Sequence, residues 1–146
     1  MTQGASMSQG EFQIKVLSPE RILYRGVVKS LGLPGKLGYM TLLPGHASMV
    51  AQLDAGILVF ESEGHEERMF LKGGFVDVTD NLATVLAEIV EKPAEISVER
   101  AKKALERAEQ RLTSPKDLSI NVPRALAAKK RATIRLELAG AAKALH

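Results

Sequence analysis

The spacing of apolar residues changes at Pro93, and that change constrains the chain more than any other feature. Before it, short apolar runs alternate with turn residues. Phe12, Ile14 and Val16 point one way, and GILVFESEGHEERMFLKGGFVDVTDNLATVLAE reads as consecutive strands parted by SEGHE, KGG and TDN. Gly73-Gly74 and Asp80-Asn81 supply residues that tolerate positive φ. Many short strands without a helical pattern between them predict an antiparallel sandwich or barrel. After Pro93, Ala101, Ala104, Leu105, Ala108 and Leu112 recur with helical period. Ser97 is placed to cap that helix, and Glu99 suits its first turn. TSPKDLSINVP interrupts the pattern, and a second helix fits from about Pro123, with Ala127, Ile134, Leu138, Ala141 and Leu145 on one face. The expected class is an all-β N-terminal sandwich plus an all-α C-terminal helical hairpin. Residues 1–10 form an extension, 11–92 the sandwich and 93–146 the two antiparallel helices. Alanines dominate both stripes, so little apolar area is buried per turn, and the hairpin is expected to open readily.

Charge divides the chain at the same place. Residues 1–92 hold 8 Lys+Arg against 11 Asp+Glu, a net of −3, and residues 93–146 hold 12 against 6, a net of +6. Cysteine is absent, which removes disulfides, thiolate metal sites and thiol nucleophiles. No run reaches the roughly 18 apolar residues of a membrane span, and MTQGASMSQG lacks the basic start and apolar middle of a signal peptide. Met7 offers an alternative start, in which case residues 1–6 are an extension.

Catalytic patterns are missing. His46, His65 and His146 have no metal-ligand spacing and no Ser/Asp company, and LPGKLG has the wrong spacing for a phosphate loop. The basic C-terminal part invites a nucleic-acid reading, yet residues 93–146 hold no aromatic side chain to stack on bases. Arg100, Arg107 and Arg111 line one edge of the first helix. On the second, Arg131 falls inside the expected apolar stripe, with Arg135 one turn on. Arg131 either reaches the surface or pairs with Glu106 or Glu109, or else an anion such as phosphate meets it between the helices.

Three segments carry a resemblance over nearly the whole chain: GKLGYMTLLPGHASMVAQLDAGIL, LKGGFVDVTDNLATVLAE and ISVERAKKALERAEQRL. Together they resemble the epsilon subunit of bacterial F-type ATP synthases, through a Gly-x-[Ile/Leu]-Gly turn, a Leu-Pro-Gly-His-Ala element, a Gly-Gly strand start and an Ala/Glu/Arg-rich hairpin. The resemblance implies a non-catalytic rotor subunit that couples proton flow to ATP synthesis. It would sit between the gamma subunit and the c-subunit ring, at the cytoplasmic face of the bacterial inner membrane. It also implies that His46 docks on the c ring, although a simple turn-closing role is open. Lys36 stands where the family usually has an acid, so the local charge is reversed. The helices of the family restrain ATP hydrolysis by meeting acidic segments of the catalytic alpha and beta subunits, a role open to Arg100, Arg107, Arg111, Arg131 and Arg135; a merely solvated basic surface is the alternative.

No cofactor is required. Some members bind ATP through [Ile/Leu]-Asp-x-x-Arg-Ala, which here reads Ile96-Ser97-Val98-Glu99-Arg100-Ala101. Glu91 and Arg107 stand at matching offsets, and Arg131 or Arg135 could serve the phosphates. Ser97 keeps the capping role but loses the carboxylate, so weak or no ATP binding is expected. The competing class is a free-standing β-module whose basic hairpin binds nucleotide or nucleic acid.

Overall fold

The structure, a computed structural model, describes residues 10–113 and 121–144, the last four by backbone alone. The expected extension, apart from Gly10, lies outside them, as do most of the interhelix segment and Leu145. The chain divides into two compact units after Val90.

The first unit holds ten strands: β1 (Phe12–Leu17), β2 (Ile22–Val28), β3 (Ser30–Gly35), β4 (Gly38–Leu42), β5 (Met49–Leu53), β6 (Gly56–Ser62), β7 (His65–Lys72), β8 (Gly74–Thr79), β9 (Leu82–Leu86) and β10 (Ile89–Glu91), whose last residue belongs to the second unit. They join in the order β10-β7-β6-β3-β5-β8-β9-β1-β2, with β4 on β3. Strand β3 is shared: Ser30–Gly32 pair with β6, Gly35 with Leu53 of β5, and its far side with β4. Turning there folds the ladder into two layers. Between them lie Ile14, Val16, Leu31, Leu33, Leu58, Phe60, Val76 and Val85, each at most 1% exposed. The rings of Tyr24 and Phe60, 4.3 Å apart between centroids, bring β2 to β6.

The turns follow local chemistry. Glu63-Gly64 and Asp80-Asn81 have positive φ at both central residues, the backbone that matches the twist of a two-residue hairpin. Gly73 and Gly74 also lie at positive φ, 64° and 116°. One pairing departs from the antiparallel expectation: β1 runs parallel to β9. No tight turn links those two strands, so nothing local sets their relative direction.

In the second unit a single 3-10 turn, Pro93–Glu95, precedes α1 (Val98–Leu112), and α2 spans Val122–Ala144. The Lys92 amide donates to the Glu95 carboxylate at 2.8 Å, Ser97 Oγ accepts from the Arg100 amide at 3.2 Å, and Asn121 Oδ1 accepts from the Arg124 amide at 3.1 Å. The expected α1 stripe is correct, with Ala101 and Ala108 buried. The expected α2 stripe is correct in part: Leu138 is buried and Ile134 half-buried. Ala127 is exposed, and the buried alanines are Ala125, Ala132 and Ala139, spaced every seven residues. With so many alanines in α2 more than one stripe satisfies the helical period, and only packing selects among them.

Gly74 admits no side chain. A Cβ there would strike the Leu86 carbonyl oxygen and come within 2.7 Å of the Ala87 Cα, besides straining the positive φ. Gly74→Ala is therefore expected to destabilise the sandwich by at least about 2 kcal/mol in urea unfolding; an unchanged midpoint would show that the β8–β9 ladder shifts to make room.

Candidate functional site

Three surfaces carry the candidate residues, two on the sandwich and one in the helical unit.

The first is β4 with its two flanking loops. Lys36 sits in the turn before β4, its amide donating to the Gln52 carbonyl at 2.9 Å, and His46 sits in the loop after it. The two expected docking residues therefore lie beyond opposite ends of a five-residue strand, itself roughly 17 Å long at 3.4 Å per residue. The structure does not bring them together. His46 is exposed; its ring Nδ1–H donates to the Ala47 carbonyl at 2.9 Å, which leaves the Nε2 edge of the ring for a partner. Asn81, legible in the sequence only as a turn residue, holds this loop. Its Oδ1 accepts from the Gly45 amide at 3.0 Å, while its Nδ2 donates to the Glu11 carbonyl at 3.1 Å. At the other end Leu37 is fully exposed beside Lys36. The Tyr39 hydroxyl lies over Gly32, where any Cβ would meet it. Partial burial pushes that phenol above its ordinary pKa, with Arg68 opposing and Glu66 adding to the rise.

The second surface is an apolar row that the sequence did not reveal. Strand register sets Phe75 beside Leu86, Leu86 beside Leu17, and Leu17 beside Ile22. Phe75, Leu86 and Ile22 are each at least half exposed. Residues 75, 86 and 17 are distant in sequence, so no local pattern announces the row.

The third lies in the helical unit. Glu91, Glu95, Ser97, Arg100, Ala101, Lys103, Ala104, Arg107 and Arg135 line a depression of about 380 Å³. Six of the eight expected nucleotide-contacting residues meet there. Ile96 is buried instead, and Arg131 is not among the lining residues. Arg131 is half-buried and, among the described residues, pairs with neither Glu106 nor Glu109. Arg135 takes the place expected for it: it follows Ala125 and Ala132 on the buried face, and its Nε and Nη2 donate to the two Glu91 carboxylate oxygens at 2.8 and 3.4 Å. Arg100 and Arg107 are exposed and form no ion pair among the described residues; Arg111, also exposed, lies outside the depression. Four cations against two carboxylates leave the lining at +2, and its size falls within the range of small-molecule sites. The Ser97 oxygen already accepts the capping bond.

Comparison with known proteins accounts for this combination. Residues 11–93 match the model of the ATP synthase delta/epsilon chain beta-sandwich domain, and residues 94–140 match that of its long alpha-helix domain. The chain belongs to the ATP synthase delta/epsilon chain family. Relatives called ATP synthase epsilon chain include one from Syntrophomonas wolfei, 43% identical over 89% of this chain and 95% of its own length. Another, from Nitratidesulfovibrio vulgaris, is 36% identical over 87% of this chain and 94% of its own. Among solved structures, a chain of the Euglena gracilis mitochondrial ATP synthase OSCP/F1/c-ring assembly is 26% identical, with a TM-score of 0.67 over 99% of this chain and 88% of that one. A chain of the Tetrahymena thermophila mitochondrial ATP synthase central stalk and c-ring, at 14% identity and a TM-score of 0.57, shares the fold. For this family member, no helix among the described residues is long and apolar enough to cross a membrane.

The Glu91–Arg135 pair, about a quarter exposed on each side, should tie α2 to the start of the helical unit. In the full chain, Glu91→Ala is expected to speed amide exchange in α2 about fivefold, corresponding to about 1 kcal/mol. Breaking the exposed Glu99–Lys103 pair should change it less than twofold. Uniformly slow exchange in both helices and in the variant would overturn the view of a hairpin that opens readily.

Proposed function

We propose that the chain is a non-catalytic subunit of the rotating central stalk of an F-type ATP synthase. In this reading it couples proton translocation to ATP synthesis and restrains ATP hydrolysis through its two C-terminal helices. The observation that carries the reading is the match of both family domains in tandem, over residues 11–140, with relatives matched along 94–95% of their own length. Its place is the cytoplasmic face of the bacterial inner membrane, held there by the complex.

Each surface takes a partner in this reading. The exposed Phe75–Leu86–Leu17–Ile22 row docks on the gamma subunit, since an apolar row of this kind is stabilised by removal from water. The c-subunit ring meets the loop of His46, which Asn81 holds through the Gly45 amide. Lys36 and Leu37 form a separate tip that reaches the ring only if β4 lies along it; Lys36→Glu with unchanged ring binding removes the tip from the contact. Arg100, Arg107 and Arg111 meet acidic segments of the alpha and beta subunits when the helices extend, and opposite charge supports such an encounter.

ATP is a weak regulatory ligand at most in this reading. The depression has arginines for the phosphates, but Ser97 offers a single oxygen, and that oxygen already serves α1. An aspartate would cap with one oxygen and keep the second for an adenine amino group. Ser97→Asp is expected to tighten ATP binding tenfold to a hundredfold, or about 1.5–3 kcal/mol, in calorimetric titration. Micromolar affinity in the unaltered chain would contradict the assignment of Ser97 as the weakening substitution.

The decisive assay is ATP hydrolysis by a catalytic head lacking this subunit, restored with either the full chain or a chain ending at Ala94. Inhibition by the full chain alone is the expected result. Equal behaviour of the two would remove the helices as the restraining element.

A further inference from the structure

Beside the apolar row, the same outer face holds a charge arrangement that the isolated chain does not explain. On β1, Gln13, Lys15 and Leu17 point away from the core, alternating with the buried Phe12, Ile14 and Val16. Register places Lys15 directly opposite Arg25 of β2 on one side and Thr84 of β9 on the other. Like charges facing each other across two strands destabilise a sheet. No carboxylate relieves them, since neither Lys15 nor Arg25 forms a salt bridge among the described residues. The acid in their cross-strand row, Asp77, lies two strands from Lys15, about 10 Å at the usual strand spacing. Its carboxylate accepts from the Thr79 hydroxyl at 2.8 Å. Between the two cations the surface dips into a notch of about 200 Å³, with Gln13, Val27 and Leu82 on its walls. On β1 the notch lies on the Gln13 side of Lys15 and the apolar row on its Leu17 side, so Lys15 stands between the two.

We propose that this notch receives a carboxylate side chain of the gamma subunit when gamma covers the apolar row. The inference rests on the docking reading above and deepens it. The apolar row gives the contact area, and the Lys15–Arg25 pair selects a partner whose apolar strip is flanked by an aspartate or glutamate. Both cations sit on paired strands, so an incoming carboxylate meets two charges held close together, and the binding should weaken as salt rises.

The test uses the full chain and its gamma subunit. Affinity is measured from low to high salt for the unaltered chain and for the double variant Lys15→Gln, Arg25→Gln, and the unaltered complex is treated with a zero-length carbodiimide cross-linker. The double variant should bind gamma at least tenfold more weakly at low salt, with a flatter salt dependence. Alone, it should unfold no earlier than the unaltered chain, because a like-charge repulsion has been removed. Lys15 should cross-link to a gamma aspartate or glutamate. Equal affinity of the double variant overturns this inference and leaves gamma docking intact; failure of the unaltered chain to capture gamma overturns both. A Lys15 cross-link to a second copy of this chain overturns the assignment to gamma.

Discussion

Strict alternation along β1 is the constraint on which the rest depends. Phe12, Ile14 and Val16 close the core from one side of a strand whose other side presents Gln13, Lys15 and Leu17. A slip of one residue would bury Lys15 and expose Ile14, an exchange that costs a charge its water and an apolar side chain its cover. Because β1 lies between β9 and β2, its register also decides which residues stand beside Leu17. Core and outer surface are thus two consequences of one pairing. The apolar row and the notch exist only while the core is correctly filled.

The helical unit rests on weaker terms. Its buried stripe is mostly alanine, which contributes little apolar area but lets helix axes come close. Specificity then falls to polar contacts at the edges: Ser97 and Asn121 at the helix starts, and Arg135 reaching Glu91. The ionic contact ties Glu91, just before the 3-10 turn, to α2, and both residues fall in the second unit. The same guanidinium lines the depression where nucleotide contacts were expected. In this geometry a phosphate would compete with Glu91 for Arg135.

Much of the fold was legible because its signals are local. The period-two runs, the positive-φ turns at Asp80-Asn81 and Gly73-Gly74, and Ser97 as a cap are each specified within a few residues. Features set by long-range register were not. Nothing near Phe75 indicates that Leu86, Leu17 and Ile22 stand beside it, and nothing near Lys15 indicates Arg25. Lys36 and His46 were assigned to one partner surface from two separate motifs, and the extended strand between them was not weighed. In α2 the surplus of alanines admits more than one stripe, so Leu138 was placed on the buried face correctly and Ala127 was not. Ser97, Arg100, Ala101 and Arg107 of the depression were legible because the motif and one helical period bring them together locally, whereas Arg135 reaches it from the other helix.

The parallel pairing of β1 with β9 also bears on how the chain is made. Gln13 meets Leu82, so the first strand emerges from the ribosome 69 residues before its partner. At 5–20 residues per second that is a wait of about 3 to 14 s, during which β1 can pair with β2 while its other edge stays open. The helices, whose contacts are closer in sequence, emerge later and can form quickly. The β1–β2 hairpin, the first to be made, therefore keeps one open edge until β9 arrives to close it.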